Sequence, residues 1–401
     1  MSDMQDGRKT AIIVGAGLGG LAAALCLDAV GWRVVVLEQA DALGDVGAGI
    51  QISPNGVKVL RTLGLEEAVA ALACRPEASQ MRFGNSGRVI FSNSMTDYPS
   101  RYGAPYLHIH RADLVSVLVQ ALTERQPEAL RTGAQVTVFE QNTNSAEVRL
   151  ADGETLSGDL LIGADGLKSV IREQMLGAQM PRFTGNVAWR MVVPMDRLTM
   201  PPPPTACVWV GAGKHAVTYR LRGGKLANFV GVVERKDWQE ESWTAQGTRD
   251  EALADFAGWH PVITDVIEQA EAHYLWGLFD RAPLDTWHDG RVALLGDACH
   301  PMLPFMAQGA VQALEDAYVL ADCLSRDEDI PLALAGYQKR RHARTSKVQT
   351  TARANASLFH RHTLAGKLAT YGPMWLADKF APRFIDSRFA WLYGHDVTDI
   401  K

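Results

Sequence analysis

"TAIIVGAGLGGLAAALCLDAVGWRVVVLE" (10–38) decides the fold. Its first five residues are a short β-branched run, 18–30 is helical in content, Gly31 can stop that helix, and 33–38 is a second buried strand. A strand, a helix and a strand joined this closely make a βαβ unit and a parallel sheet. Gly15, Gly17 and Gly20 stand in G-x-G-x-x-G spacing between the first strand and the helix. Gly15 permits the tight turn, Gly17 lets backbone N–H groups approach a pyrophosphate, and Gly20 allows close packing of the helix, whose N-terminus favours an anion. Glu38 ends the second strand at the distance needed to accept hydrogen bonds from a ribose, which selects FAD or NAD over a 2′-phosphorylated cofactor. The segment 11–30 is as long and apolar as a membrane span. Four glycines in six residues, Asp28 and the lack of a second span assign it instead to a buried strand and helix.

Outward from this unit, 401 residues suggest roughly two or three domains. A net charge of −5 offers no overall attraction to nucleic acid or to an anionic membrane. Five cysteines without a CxxC pair suit reduced thiols, and the N-terminus "MSDMQDGRKT" has no signal-peptide architecture, so a cytoplasmic setting is expected. The stretch 56–72 reads as one further helix and 110–125 as another; "MRFGNSGRVIFSN" reads as a hairpin turning at 85–87. Strand-like pieces dominate 183–280, "MPPPPT" (200–205) reads as an extended connector, and 331–380 is mainly helical. The expected architecture is α/β: a discontinuous Rossmann-like nucleotide-binding domain (1–79, 108–180, 283–345), an inserted, mainly β-sheet substrate domain (80–107, 181–282) and a C-terminal helical region (346–401). A deep site between two such domains suits a cofactor meeting a separate substrate.

A second stretch, "GDACHPMLPFMAQGA" (296–310), points to chemistry. Asp297 ends a strand, where ligands meet α/β sheets. Pro301 and Pro304 are expected to hold the next segment extended, so that carbonyl groups line a ligand face. Gln308, Gly309 and Ala310 open a helix whose N–H groups can stabilise negative charge. His300 and Cys299 are adjacent and point apart, and no other His/Cys cluster completes a zinc site, so no metal is expected. The run "KRRHAR" (339–344) reads as a solvated helix face, and Trp375, Trp391 and Tyr393 as packing residues of the tail.

"GADGLKSVIRE" (163–173) and "VALLGDACHPMLPFMAQGA" (292–310), together with the glycine turn, "HRADL" (110–114) and "WLYG" (391–394), resemble the signatures of single-component FAD-dependent aromatic hydroxylases. Among these, the chain is most similar to salicylate, 3-hydroxybenzoate and 6-hydroxynicotinate hydroxylases. The resemblance implies that Asp297 binds the ribityl chain of FAD and that Arg111 lies near the pyrophosphate or ribityl region. It also implies that Asp165, Gly166, Ser169 and Arg172 form the D-G-x-x-S-x-x-R run tied to FAD and the nicotinamide donor. From the residues alone, Asp165 reads equally as a turn or N-cap residue. Gln51, Gly309 and Ala310 would complete the flavin site, with Pro304 beside the oxygen-reacting face.

The reaction so implied uses NADH or NADPH and O2 to hydroxylate a phenolic acid through a C4a-hydroperoxyflavin, in a monomer or homodimer with no nucleic-acid partner. A base that ionises the phenol and a dry chamber would serve it. His215 and Tyr219 lie four apart on an expected strand, hence on one face. His can take a phenolic proton and Tyr can bond the phenolate, and both match positions of the 3-hydroxybenzoate and 6-hydroxynicotinate enzymes. Cys207 matches a pocket residue after a one-residue gap. Gln51 and Phe305 stand where the hydroxynicotinate enzymes have His, which favours a benzene-ring phenol. The alternatives are a hydroxylase of another electron-rich substrate and a flavin-binding protein without turnover.

Overall fold

The computed structural model describes residues 7–44, 48–235, 246–381 and 387–399. The βαβ unit forms as expected, with strand Thr10–Val14, helix Leu18–Ala29 and strand Arg33–Leu37. These strands pair in parallel, and Thr10–Val14 also pairs in parallel with Leu160–Gly163, which pairs with Val292–Leu294. The six-stranded sheet is completed by Leu130–Arg131 at one edge and the antiparallel His288–Asp289 at the other. The helix has no polar face, because it is buried between this sheet and the helices Gly309–Arg326 and Arg111–Arg125.

A second, seven-stranded sheet runs in the order Tyr274–Asp280, Arg182–Pro194, Leu226–Glu234, Lys214–Leu221, Ala206–Gly211, Ala78–Phe83, Val89–Ser94. It is antiparallel except where Ala206–Gly211 meets Ala78–Phe83. One face packs on the helices Arg249–Asp255 and Pro261–Gln269 through Trp189, Trp209, Phe229 and Phe256. The other face is the floor of a cavity, which a two-stranded ribbon, Gly49–Ile52 with Leu107–His110, approaches from the first sheet. The hairpin at 85–87 is present, with Gly87 at φ +69°. Residues 200–205 lie outside every strand, held by the Arg220 guanidinium donating to the Pro202 carbonyl at 2.8 and 3.0 Å.

Three expectations change. The stretch 56–72 is two helices, Pro54–Thr62 and Glu66–Leu72, because Gly64 at φ +77° turns the chain out of the first. The 301–307 segment is not extended throughout: Pro304–Met306 is a 3-10 turn ending at Ala307, φ +52°. The run 339–344 is a solvated face only in part: Lys339 and Arg340 are exposed, but Arg341 is 1% exposed. Its guanidinium bridges the buried carboxylates of Glu315 (2.5 Å) and Asp316 (2.7 Å), and Arg344 adds a second contact to Glu315 at 2.7 Å. Asp316 in turn meets His300 Nε2 at 2.5 Å and accepts from the Gly296 N–H at 3.2 Å. This buried network ties helices Gly309–Arg326 and Ile330–Phe359 to the turn that carries Asp297.

In the tail, Tyr393 packs against Tyr98, Tyr102 and Tyr106, and Lys347 sits over Trp391 at 4.1 Å, while Trp375 is 41% exposed with Lys379 over its ring at 4.2 Å. Residues 1–6 of the expected N-terminus lie outside the described residues. Among the described residues, no helix is long and apolar enough to cross a membrane, and no group of three or more His, Cys, Asp or Glu could hold a metal ion.

Candidate active site

The glycine turn is built around an open space. A Cβ on Gly20 would lie 1.9 Å from the Gly15 carbonyl oxygen, and one on Gly15, at φ +102°, would lie 2.5 Å from that of Ala164. Both positions exclude side chains for packing reasons. Gly17 differs: a Cβ there meets nothing within 4 Å, and its φ of −70° is open to any residue. What it would enter is the space before the N-terminus of Leu18–Ala29, which carries no side-chain cap and no acidic residue in its first turn. A bare helix N-terminus facing an open cradle suits a pyrophosphate. Glu38 braces the same turn, accepting from the N–H groups of Ala16 (2.9 Å) and Ala40 (3.0 Å).

Asp165 combines both readings open at the level of sequence. One carboxylate oxygen accepts from the Val170 and Ile171 N–H groups at 2.8 and 3.3 Å, a helix-capping role. The other is buried without a partner, and burial raises the pKa of the group. Arg172 donates to the carbonyls of Ala298 (2.9 Å) and Leu167 (2.5 Å), so it joins the Asp165 turn to the Asp297 turn.

Asp297 faces the cavity, which leaves its carboxylate accessible although protein surrounds it; that enclosure raises its pKa, opposed by His300 and Arg111. Arg111 opens helix Arg111–Arg125, its N–H donating to the Ala48 carbonyl at 3.0 Å. Gln51, Pro304, Phe305, Gly309 and Ala310 line the same cavity of about 940 Å³. Three carbonyls of the 301–307 segment are already taken, that of Pro301 by Gln349 Nε2 (2.9 Å), that of Pro304 by the Ala307 N–H (3.0 Å) and that of Phe305 by Asn355 Nδ2 (3.2 Å). The residues present fit FAD: an uncapped helix end, a cradle that a Cβ would fill, an orphaned carboxylate oxygen and a second carboxylate open to the cavity.

On the floor, His215 and Tyr219 sit on one face of strand Lys214–Leu221, as alternation requires. They do not converge. Four residues of strand separate them by about 13 Å. His215 contacts Phe305, Phe359 and His360, with ring centroids 5.3, 5.0 and 4.9 Å away, whereas Tyr219 lies against His108 at 4.6 Å. Burial drives the His215 pKa well below its ordinary value, with His360 adding to the effect, and raises that of Tyr219. Cys207 is not a pocket residue. It pairs with Thr218 on the opposite face, packs in the cluster with Trp189 and Phe229, and burial lifts its thiol to about 12.

Several residues in or around the cavity were missed at the level of sequence. Arg190 lies on strand Arg182–Pro194 with its guanidinium 4.8 Å from the Trp276 ring. Nη2 donates to the Gly49 carbonyl at 3.3 Å, Nε is buried without a partner, and among the described residues no carboxylate pairs with it. A lone cation in the apolar run "NVAWRMVVP" was the available signal. Tyr106 donates to Gln51 Oε1 at 2.7 Å, and burial holds His108 down at about 3. His360, 145 residues from His215, had no sequence signal at all.

Comparison with known proteins agrees with this geometry. Residues 8–352 match the family described as FAD binding domain. The chain is 37% identical to 3-hydroxybenzoate 6-hydroxylase 1 of Aquipseudomonas alcaligenes, covering 97% of this chain and 98% of that one. It is 35% identical to a 3-amino-4-hydroxybenzoate 2-monooxygenase of Streptomyces platensis over 100% and 99% of the two. Among solved structures, Klebsiella pneumoniae HpxO complexed with FAD and uric acid superposes with a TM-score of 0.85 at 29% identity, covering 94% of this chain and 95% of that one. A salicylate hydroxylase substrate complex gives 0.80 at 27%, covering 97% and 96%. A glycine cradle at a bare helix end and an acid-bearing turn on the cavity wall, in a chain with these relatives, place it among the FAD-dependent aromatic hydroxylases, to which it belongs.

Proposed function

We propose that the ring oxygenated in this cavity belongs to a phenolic acid, with NADH or NADPH as reductant and O2 as co-substrate. Arg190 carries the reading: a half-buried guanidinium on the cavity floor, paired with no carboxylate among the described residues, is an anion subsite. Its register fits that role. Arg190 pairs with Val230 and His215 with Val232 on the intervening strand, so the two polar groups share one face and lie two strands apart. A hydroxybenzoate-like ring laid across that face presents its carboxylate to Arg190 and its hydroxyl to His215. The apolar surfaces of Met81, Val208, Val217, Val230 and Trp276 exclude water around it. The relatives' names support the class, since 3-hydroxybenzoate and 3-amino-4-hydroxybenzoate are both hydroxylated aromatic acids.

FAD, when bound, supplies the oxygen activation. Gly17 and the bare helix end would hold its pyrophosphate, with Glu38 at the ribose and Asp165, Asp297 and Arg111 along the rest of the chain. Gln51, Pro304, Gly309 and Ala310 would border the ring. The division of labour follows the sheets, with 1–79, 108–180 and 283–345 serving the cofactor, 80–107 and 181–282 the substrate, and the helices of 346–401 closing the cavity. Phe305, packed on His215, and Gln51, bonded to Tyr106, suit a benzene ring better than the pyridine of 6-hydroxynicotinate.

The test is NADH or NADPH oxidation with product analysis on 3-hydroxybenzoate, salicylate, 6-hydroxynicotinate and unsubstituted phenol. Hydrogen bonds to a charged group contribute about 1.5–3 kcal/mol, so Arg190→Met is expected to raise KM for the preferred acid by roughly 10–150-fold and to leave that for phenol little changed. Equal effects on acid and phenol would remove Arg190 from substrate binding.

A further inference from the structure

His215 is buried, and burial works against its protonated form. A lone imidazole in that position would be a poor final resting place for a phenol's proton. The structure offers another destination. His215 Nδ1 lies 2.7 Å from His360 Nε2, and His360 Nδ1 lies 3.1 Å from Glu234 Oε1. Glu234 is 43% exposed, whereas His360 is 3% exposed. The chain of contacts therefore runs from the cavity wall to the surface, where His362 also meets Glu234 at 3.2 Å.

The polarity of this chain follows from its outer end. Glu234 carries only acceptors when ionised, so His360 Nδ1 must be the donor to it. His360 is held neutral by burial, which outweighs the attraction of Glu234, so its Nε2 is a lone pair and accepts from His215 Nδ1–H. His215 then keeps a lone pair on Nε2, the remaining ring nitrogen of a side chain that lines the cavity.

We propose that His360 and Glu234 form a relay that carries the proton taken by His215 from the substrate's ring hydroxyl out to solvent. The inference rests on the phenolic-acid reading above. The protons balance: the hydroxyl proton passes to His215 Nε2 as the Nδ1 proton moves to His360 Nε2. The His360 Nδ1 proton passes to Glu234, and water removes it there. Both imidazoles end neutral with their tautomers exchanged, and His215 Nε2–H is left donating to the phenolate. No buried imidazolium persists. His215 touches the substrate; His360 and Glu234 act through it.

His360→Gln tests the relay, because a glutamine amide can accept from His215 and donate to Glu234 yet cannot pass a proton on. Turnover of FAD-loaded protein is compared for 3-hydroxybenzoate and for a ring-nitrated analogue whose hydroxyl is already ionised at the assay pH. General-base assistance contributes on the order of 100-fold or more. His360→Gln is expected to lower kcat by about that much with 3-hydroxybenzoate, far less with the nitrated acid, and to leave KM nearly unchanged for both. Calorimetry in buffers of different ionisation enthalpy is the second readout. Binding of 3-hydroxybenzoate should release about one proton from the parent protein and much less from the variant. Glu234→Gln, at the exposed end, should give the same pattern if His360→Gln fails to fold. Equal losses with both acids, no loss with either, or binding by the parent protein without proton release each overturn the relay. A parent protein inert toward every phenolic acid instead overturns the substrate class, and the relay with it.

Discussion

Gly17→Val separates the cofactor cradle from the packing of the turn that forms it. The new side chain would project where no protein atom lies within 4 Å, at a φ of −70° that valine adopts readily. The apo fold is therefore expected to lose only what an unfavourable helix N-cap costs, about 1 kcal/mol. The loss in binding should be much larger. A branched side chain in the cradle keeps the pyrophosphate from the backbone N–H groups at the start of Leu18–Ala29, and each hydrogen bond to a charged group contributes about 1.5–3 kcal/mol. Two such bonds amount to roughly 3–6 kcal/mol, a weakening of about 10²–10⁴-fold in FAD affinity. Gly20→Val is the control, since its Cβ would lie 1.9 Å from the Gly15 carbonyl oxygen and the turn itself must shift. Flavin absorbance of the purified proteins, fluorescence titration of the apoproteins with FAD and thermal melts of both read the two effects separately. If Gly17→Val purified with a full complement of FAD, or if its apoprotein melted as early as that of Gly20→Val, the cradle would be misplaced.

Cys207→Ala should leave kcat and KM unchanged and cost about 1 kcal/mol in a denaturant titration, because the thiol packs on the face away from the cavity; altered kinetics would return Cys207 to the site. Arg341→Met takes one cation from each of two buried carboxylates, leaving Glu315 with Arg344 and Asp316 with His300, and is expected to destabilise the protein by about 3–5 kcal/mol, read as a fall in the denaturation midpoint; a midpoint near that of the parent protein would show that the network is weak. The same network predicts acid sensitivity. Burial would raise the Glu315 pKa, but Arg341 and Arg344 outweigh it and hold the group at about 2, below its ordinary 4.5. A carboxylate depressed on folding contributes stability at pH values above 4.5 and loses it as the pH falls towards 2. Urea titrations across that window should show stability declining, and less steeply in Arg344→Met.

The features legible in the sequence are those that local backbone chemistry dictates. Gly15 must take a positive φ and Gly20 must admit a neighbouring carbonyl, so the glycine turn is written in six letters. Glu38 and Asp297 lie at or just beyond strand ends, where α/β sheets meet ligands, and alternation alone put His215 and Tyr219 on one face. Gly64 carried the break in the 54–72 helix pair, although helical content concealed it.

What the tertiary structure decided depends on register and on contacts between distant segments. Which face of strand Ala206–Gly211 meets the cavity follows from its pairing with neighbours, and that pairing turns Cys207 away while Ala206 and Val208 face in. The inward turn of Arg341 depends on carboxylates 25 and 26 residues earlier on another helix. His360 meets His215 only because the long helix ends over the sheet. A residue's own neighbours in the chain set its backbone conformation, but they carry no record of which distant side chain it will face; that is settled when the sheets and helices pack.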